Sequence, residues 1–306
     1  FYCYVQPKRF YGGWIRMNTA QYPDLFDACT PRGDVLDGTL QEDQFAASLS
    51  TVAHTSDEAA PVYREANEFF DMTYPTDGLR TLLSNLAGRF LAADGRDGGG
   101  YLSSILCLDT RFGGGKTHDL IASYHLATTP TEINDLDRYL VDGADGIGDA
   151  YIEAVEQGLS VDTAVFVGGH VDARNARSDR SDPDAPNTRT MWGEIAYQLY
   201  GLDGYEYIKE YDQDRNAPGK NTLKGLFELG DDPALVLVDE IAAYLEGASA
   251  IEVGEATLAS QTLNFVLALL ETASEVDDVT VVYSIADTAF EEEAEDVRTL
   301  IHELNQ

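Results

Sequence analysis

The residues in this sequence with the most evident chemistry are Gly113-Gly114-Gly115-Lys116-Thr117. Residues without a Cβ let consecutive backbone N–H groups curl around phosphate oxygens where a helix begins. A lysine next in line reaches the outer phosphates of a nucleotide, and the threonine hydroxyl after it can ligate Mg2+. The short apolar run from Ser103 to Leu108 reads as a strand. Asp109-Thr110-Arg111-Phe112 leads out of it, and His118, Leu120, Ile121 and Tyr124 continue into a helix. That is the strand, loop and helix context a phosphate cradle requires. The expected cradle is therefore Thr110, Arg111, Phe112, Gly113, Gly114, Gly115, Lys116, Thr117 and His118, with His118 packing or capping rather than catalysing. Thr110 stands where the usual loop has glycine, a departure in the loop opening. Taken alone, three glycines can also be an ordinary turn and Lys-Thr an ordinary helix start.

A second motif argues against that bland reading. Far downstream, Leu235-Val236-Leu237-Val238 is an apolar strand that ends in Asp239-Glu240. Open α/β sheets bind ligands at the C-terminal ends of their strands. Asp239 is expected there to hold Mg2+ beside Thr117, with Glu240 orienting and polarising an attacking water. An extra strand at 163–168 lies before this pair and another at 279–285 follows it. This pattern favours the additional-strand, catalytic-glutamate division of P-loop ATPases, in which the strand after the Asp-Glu strand lies between it and the P-loop strand. Ser284 and Asp287, at the end of that strand, are the candidates to face the γ-phosphate or the water. The sequence has no Asn-Lys-x-Asp guanine-reading motif, so ATP is the expected nucleotide.

Arg174, Arg177, Arg180 and Arg189 form a basic cluster in a chain otherwise poor in basic residues. They could enter a neighbouring subunit's nucleotide site in an oligomer or touch a phosphate backbone. Local pairing with Asp172, Asp179, Asp182 and Asp184 is the reading preferred here. Arg298 is a further finger candidate of no stronger claim.

The elements that must position these residues alternate along the chain. Strands are predicted at about 103–108, 163–168, 234–239 and 279–285, and helices at 115–127, 190–200, 256–273 and 291–304. Such alternation predicts a three-layer α/β fold, a mostly parallel sheet with helices on both faces. Upstream, Phe45, Ala46, Leu49 and Val52 recur at helical spacing, as do Leu79, Leu82, Leu83, Leu86 and Phe90, with Asp77 as the expected N-cap. Phe69 to Thr76 reads as a buried irregular segment and a candidate base-binding edge. The intervals 129–149, 171–189 and 201–221 are polar and rich in Asp and Gly, and read as connections.

Residues 1–16 contain Lys8, Arg9 and Arg16 and no acid, and read as a wrongly extended start; they lack the charged and apolar regions of a signal peptide. The expected organisation is then an N-terminal helical segment at 17–95 packed on an ATPase core at 96–306.

The whole chain has 54 acidic and 20 basic residues, a formal net charge of −34, yet 44% of it is hydrophobic. Disorder does not fit such apolar runs; a folded acidic surface does. Lysine is confined to Lys8, Lys116, Lys209, Lys220 and Lys224, the balance expected of a protein from a very salty cytoplasm. In molar salt the Debye length shrinks to roughly 3 Å, so self-repulsion is screened. The same charge opposes the electrostatics of sequence-independent nucleic-acid binding. Cys3, Cys29 and Cys107 make no pair at metal-ligand spacing, and no apolar run approaches the ~18–20 residues of a membrane span. A reduced cytoplasmic location is expected.

Four blocks together resemble a known family: residues 70–80 (FDMTYPTDGLR), 109–118 (DTRFGGGKTH), 190–199 (TMWGEIAYQL) and 237–245 (LVDEIAAYL). They are similar to the large prokaryotic ATPases catalogued as domain of unknown function four-nine-nine, over a stretch from about Met17 to the end. Thr110 matches that family's own form of the loop. The resemblance implies an ATPase, a motor or switch subunit related to those of the BREX and phage-growth-limitation systems. Its implied partners are defence-complex proteins, a DNA methyltransferase and a helicase. It also implies a chain that stops soon after the fourth core strand, for which a nucleotide-gated module with negligible hydrolysis is the alternative function.

Overall fold

The structure, a computed structural model, describes residues 47–54, 59–100, 102–109, 115–141, 146–176 and 185–284. Helices α1 (Leu49–His54), α2 (Pro61–Arg64), α3 (Ala66–Asp71) and α4 (Asp77–Ala93) precede strand β1 (Ile105–Leu108) and helix α5 (Lys116–Thr128). Next come α6 (Ile147–Glu156), β2 (Asp162–Val167), the long helix α7 (Met191–Asp214) and α8 (Lys220–Phe227). The remaining elements are β3 (Ala234–Asp239), α9 (Ile241–Ser249), a small hairpin of β4 (Glu252–Val253) and β5 (Ala256–Thr257), α10 (Leu258–Glu275) and β6 (Val279–Ser284).

Four strands form a parallel sheet in the order β1-β6-β3-β2, so β6 lies between the strand that leads to Lys116 and the strand that ends in Asp239. This is the strand placement expected from the sequence. In register, Leu108 pairs with Ser284, Val238 with Tyr283 and Val167 with Asp239, which brings four strand ends to one rim of the sheet. Every residue of β3 and β6 is buried, as expected of central parallel strands covered on both faces.

Alternate residues of each strand serve opposite cores. Val165, Val167, Leu235, Leu237 and Val282 pack with Phe69, Leu83, Leu86, Phe90 and Leu120 on one face. Ala164, Phe166, Val236, Val238, Val281 and Tyr283 pack with Trp192, Ile195, Leu245, Phe265 and Leu269 on the other. The apolar residues of helices α1, α3 and α4 thus share a core with the sheet. Along the outer edge of β2, the Gln198 amide stands in for a neighbouring strand. Val165 N–H donates to its Oε1 at 2.7 Å, and its Nε2 donates to Val165 O at 3.0 Å, satisfying backbone groups an edge would leave open.

Several local expectations need correction. Thr76, with extended φ/ψ of −69° and 158°, caps α4 by accepting from Leu79 N–H, which makes Asp77 the first helical residue rather than the cap. The helix expected at 190–200 runs on to Asp214 through a break at Tyr200 and Gly201, where Gly201 takes φ 60° and redirects the chain. The returning half is anchored by the fully buried Asp212. Its carboxylate accepts from Arg189 N–H, Thr190 Oγ1 and Tyr205 OH. The second half of α7 thus lies in a stretch, 201–221, whose Asp and Gly content suggested a connection, and α6, α8 and α9 are further helices that the sequence does not announce. The predicted helix at 291–304 lies outside the described residues. Among the described residues, no helix is long and apolar enough to cross a membrane.

Candidate functional site

The rim where β1, β6 and β3 end is built from backbone geometry first. Gly115 has φ 87°, a left-handed conformation natural to glycine, and from it α5 starts at Lys116. The first N–H groups of α5 have no partner within the helix, which suits an anion held at this end. Thr110, Arg111, Phe112, Gly113 and Gly114 lie outside the described residues. Lys116, Thr117 and His118 occupy the first turn.

Asp239 lies at the end of β3 with 3% of its surface exposed. A carboxylate so buried requires donors, and three converge on it. Thr117 Oγ1 donates to Oδ2 at 2.9 Å, and the Glu240 backbone N–H donates to Oδ1 at 3.0 Å. The buried Ser284 hydroxyl also donates to Oδ1. Residues 122 apart in sequence therefore meet through side chains. Ser284 was expected to face a phosphate or a water; here it holds Asp239. Asp287 lies outside the described residues.

Glu240 follows with φ 51° and ψ 36°, one of three non-glycine residues with positive φ among those described. Such a conformation costs on the order of 1 kcal/mol, and it turns the chain from β3 into α9 with the Glu240 side chain exposed. Two glycines after β2 make room for it. A Cβ on Gly168 would stand 2.2 Å from Glu240 O, and one on Gly169 would stand 2.4 Å from Glu240 Oε2. The sequence reading passed over this pair; its visible signal was two adjacent glycines at the C-terminal end of a predicted strand.

His118 is fixed by its surroundings. Thr73 Oγ1 donates its one proton to Phe69 O at 2.6 Å, so the 2.9 Å contact with His118 Nε2 has the imidazole N–H donating. Phe69 lies against the ring at a centroid distance of 4.4 Å. Burial lowers its pKa to about 4, so the ring is neutral at pH 7 and packs as expected. Burial also raises Asp119, in the same turn, to about 6.

A model of the DUF499 N-terminal domain matches residues 25–305. The chain belongs to that family. The match spans both the Lys116-Thr117 and Asp239-Glu240 segments of this DUF499 domain, together with the α1–α4 segment before them. Searches of curated proteins and of solved structures returned no match.

The arginine cluster divides. Arg177 and Arg180 lie outside the described residues. Arg174 N–H donates to Asp172 Oδ1 at 2.7 Å, and the Arg189 side chain donates to Gln213 O at 3.3 Å. Two clefts lie apart from the Asp239 cluster. One of about 290 Å3 is edged by Asp135, Asp137, Asp149, Glu153 and Glu156, and one of about 310 Å3 runs along β2 beside His54, Tyr124 and Gln198.

Proposed function

We propose that this DUF499 domain binds ATP with Mg2+ where α5 begins and hydrolyses it, as a P-loop ATPase of the additional-strand, catalytic-glutamate division. The observation that carries this reading is the 2.9 Å hydrogen bond from Thr117 to Asp239. A hydroxyl at a helix start and a buried strand-end carboxylate are the pair that would share one magnesium ion. The parallel order β1-β6-β3-β2 supports it further.

The donor set fits the metal. Among the described residues no three His, Cys, Asp or Glu side chains group as a metal cage, and Mg2+ in nucleotide sites needs none. It takes one or two protein oxygens and completes its shell with phosphate oxygens and water. Thr117 and Asp239 supply that number, with Ser284 and Glu240 N–H orienting the carboxylate. Once bound, the ion would neutralise charge on the outer phosphates. Gly115 and the first N–H groups of α5 would receive the phosphates, with Lys116 extending to the β and γ oxygens. Glu240 would accept a proton from water as its oxygen bonds to the γ-phosphorus and the bond to the leaving ADP oxygen breaks.

Lys116→Ala is expected to abolish ATP binding in molar KCl, whereas Glu240→Gln keeps binding and loses turnover, read by calorimetry and phosphate release. Equal ATP binding by the Lys116 variant would sink the assignment. A second reading, a nucleotide-gated module with negligible hydrolysis, draws support from the strained Glu240, whose carboxylate rests against Gly169. Turnover measured with and without partner proteins separates the two. We further propose, in keeping with the family resemblance, that the domain serves a prokaryotic phage-defence complex. A methyltransferase gene and a helicase gene beside this one would support that placement.

A further inference from the structure

The segment Met72-Thr73-Tyr74-Pro75-Thr76 joins α3 to α4, and it is fixed at both ends. Thr73 is buried and holds Phe69 O and His118 Nε2, while Thr76 caps α4. Phe70, just upstream, receives the Tyr139 hydroxyl on its carbonyl and its ring edge-on. Residue 74 precedes a proline, which biases its backbone to an extended form. The segment is thereby clamped to the first turn of α5, the turn that carries Lys116 and Thr117.

Against this background one side chain stands out. Tyr74 is 70% exposed and Met72 44% exposed, although both flank a residue that is 2% exposed. Single exposed apolar residues are ordinary; the position of this one is not. Its Cα lies about 3.8 Å from that of Thr73, whose hydroxyl touches the residue directly after Thr117. An exposed aromatic ring on a backbone fixed by its neighbours, set beside the helix start proposed to bind phosphate, suits one kind of ligand surface, a flat heterocycle that can stack.

We propose that Tyr74 is the seat for the purine base of the bound nucleotide, its ring stacking on the base while α5 takes the phosphates. This rests on the ATP-binding reading above. The seat carries no charge of its own, since residues 72–76 contain no Asp, Glu, Lys, Arg or His. Recognition is therefore by ring area, which ranks purines over pyrimidines.

The test is calorimetric titration of the full chain, in molar KCl with Mg2+, with ATP, CTP and inorganic tripolyphosphate. Tyr74→Ala, Tyr74→Phe and Lys116→Ala are compared with the parent chain. Stacking predicts that Tyr74→Ala weakens ATP about tenfold, weakens CTP less and leaves tripolyphosphate unchanged, with Tyr74→Phe close to the parent. Unchanged ATP affinity in Tyr74→Ala, with binding still dependent on Lys116, would overturn the base seat and leave the phosphate site standing. Equal weakening of ATP and tripolyphosphate would also overturn it, by making Tyr74 structural. If the parent chain bound neither ligand, or Lys116→Ala bound both as well as the parent, the nucleotide reading would fail and the seat with it.

Discussion

At the scale of single residues, the site depends on side chains that are small or absent. Gly169 lets the Glu240 carboxylate lie where a methyl group would stand 2.4 Å from Oε2. Gly169→Ala should therefore displace the carboxylate while sparing the residues proposed to meet phosphate. On the proposed mechanism, turnover should fall on the order of tenfold to a hundredfold, since small misplacements of a reacting group have effects of that size. ATP affinity should stay as in the parent. Phosphate release at the parent rate would show that Glu240 works from elsewhere. Ser284 illustrates the same economy: a hydroxyl that the sequence offers as a candidate to face the ligand is one of the donors that keep Asp239 in place.

At the scale of elements, helix ends do most of the positioning. Thr76 satisfies the N–H of Leu79 at the start of α4, a helix that contributes Leu83, Leu86 and Phe90 to the core. Thr76→Ala should destabilise the fold by about 1 kcal/mol, read as a lower denaturation midpoint with an unchanged slope. A midpoint equal to the parent's would mean that water caps this helix equally well. Helix α8 is tied to α10 differently: Lys220 and Lys224 donate to Glu275 at 2.8 and 2.6 Å. That pairing holds Glu275 down to about 2, but exposed pairs of this kind contribute little to stability. The two helices also share apolar contacts, Leu223, Leu226 and Phe227 against the cluster of Phe265 and Leu269.

For the whole molecule, the dominant fact is charge. Among the described residues the buried acids are Glu194, Asp212 and Asp239, each hydrogen-bonded. The other acids of the described residues are partly or fully exposed, so the negative charge of the described residues acts largely across the surface. Raising salt from about 0.1 M to about 1 M shortens the Debye length from roughly 10 Å to roughly 3 Å. The melting temperature should accordingly climb as KCl is raised over that range, by scanning calorimetry. A melting temperature that is flat or falls with salt would contradict a surface adapted to molar salt.

Much of this could be read from the residues alone. Dominantly apolar runs such as Leu235–Val238 and Val279–Tyr283 are legible as central strands because both faces of a parallel strand are buried. Triple glycine before Lys-Thr and an apolar run before Asp-Glu point to the proposed chemistry because each proposed role requires one residue type. Helices hidden in Asp- and Gly-rich stretches were not legible. Asp212 is a loop residue by composition and a buried anchor by geometry, and only its three donors make the difference. The sequence could order Thr117 and Asp239 along the chain; their contact was decided by β6 inserting between β1 and β3. The close approach of Gly169 to Glu240 and the clamp from Thr73 to His118 likewise join residues whose distance depends on packing. No local periodicity encodes that distance.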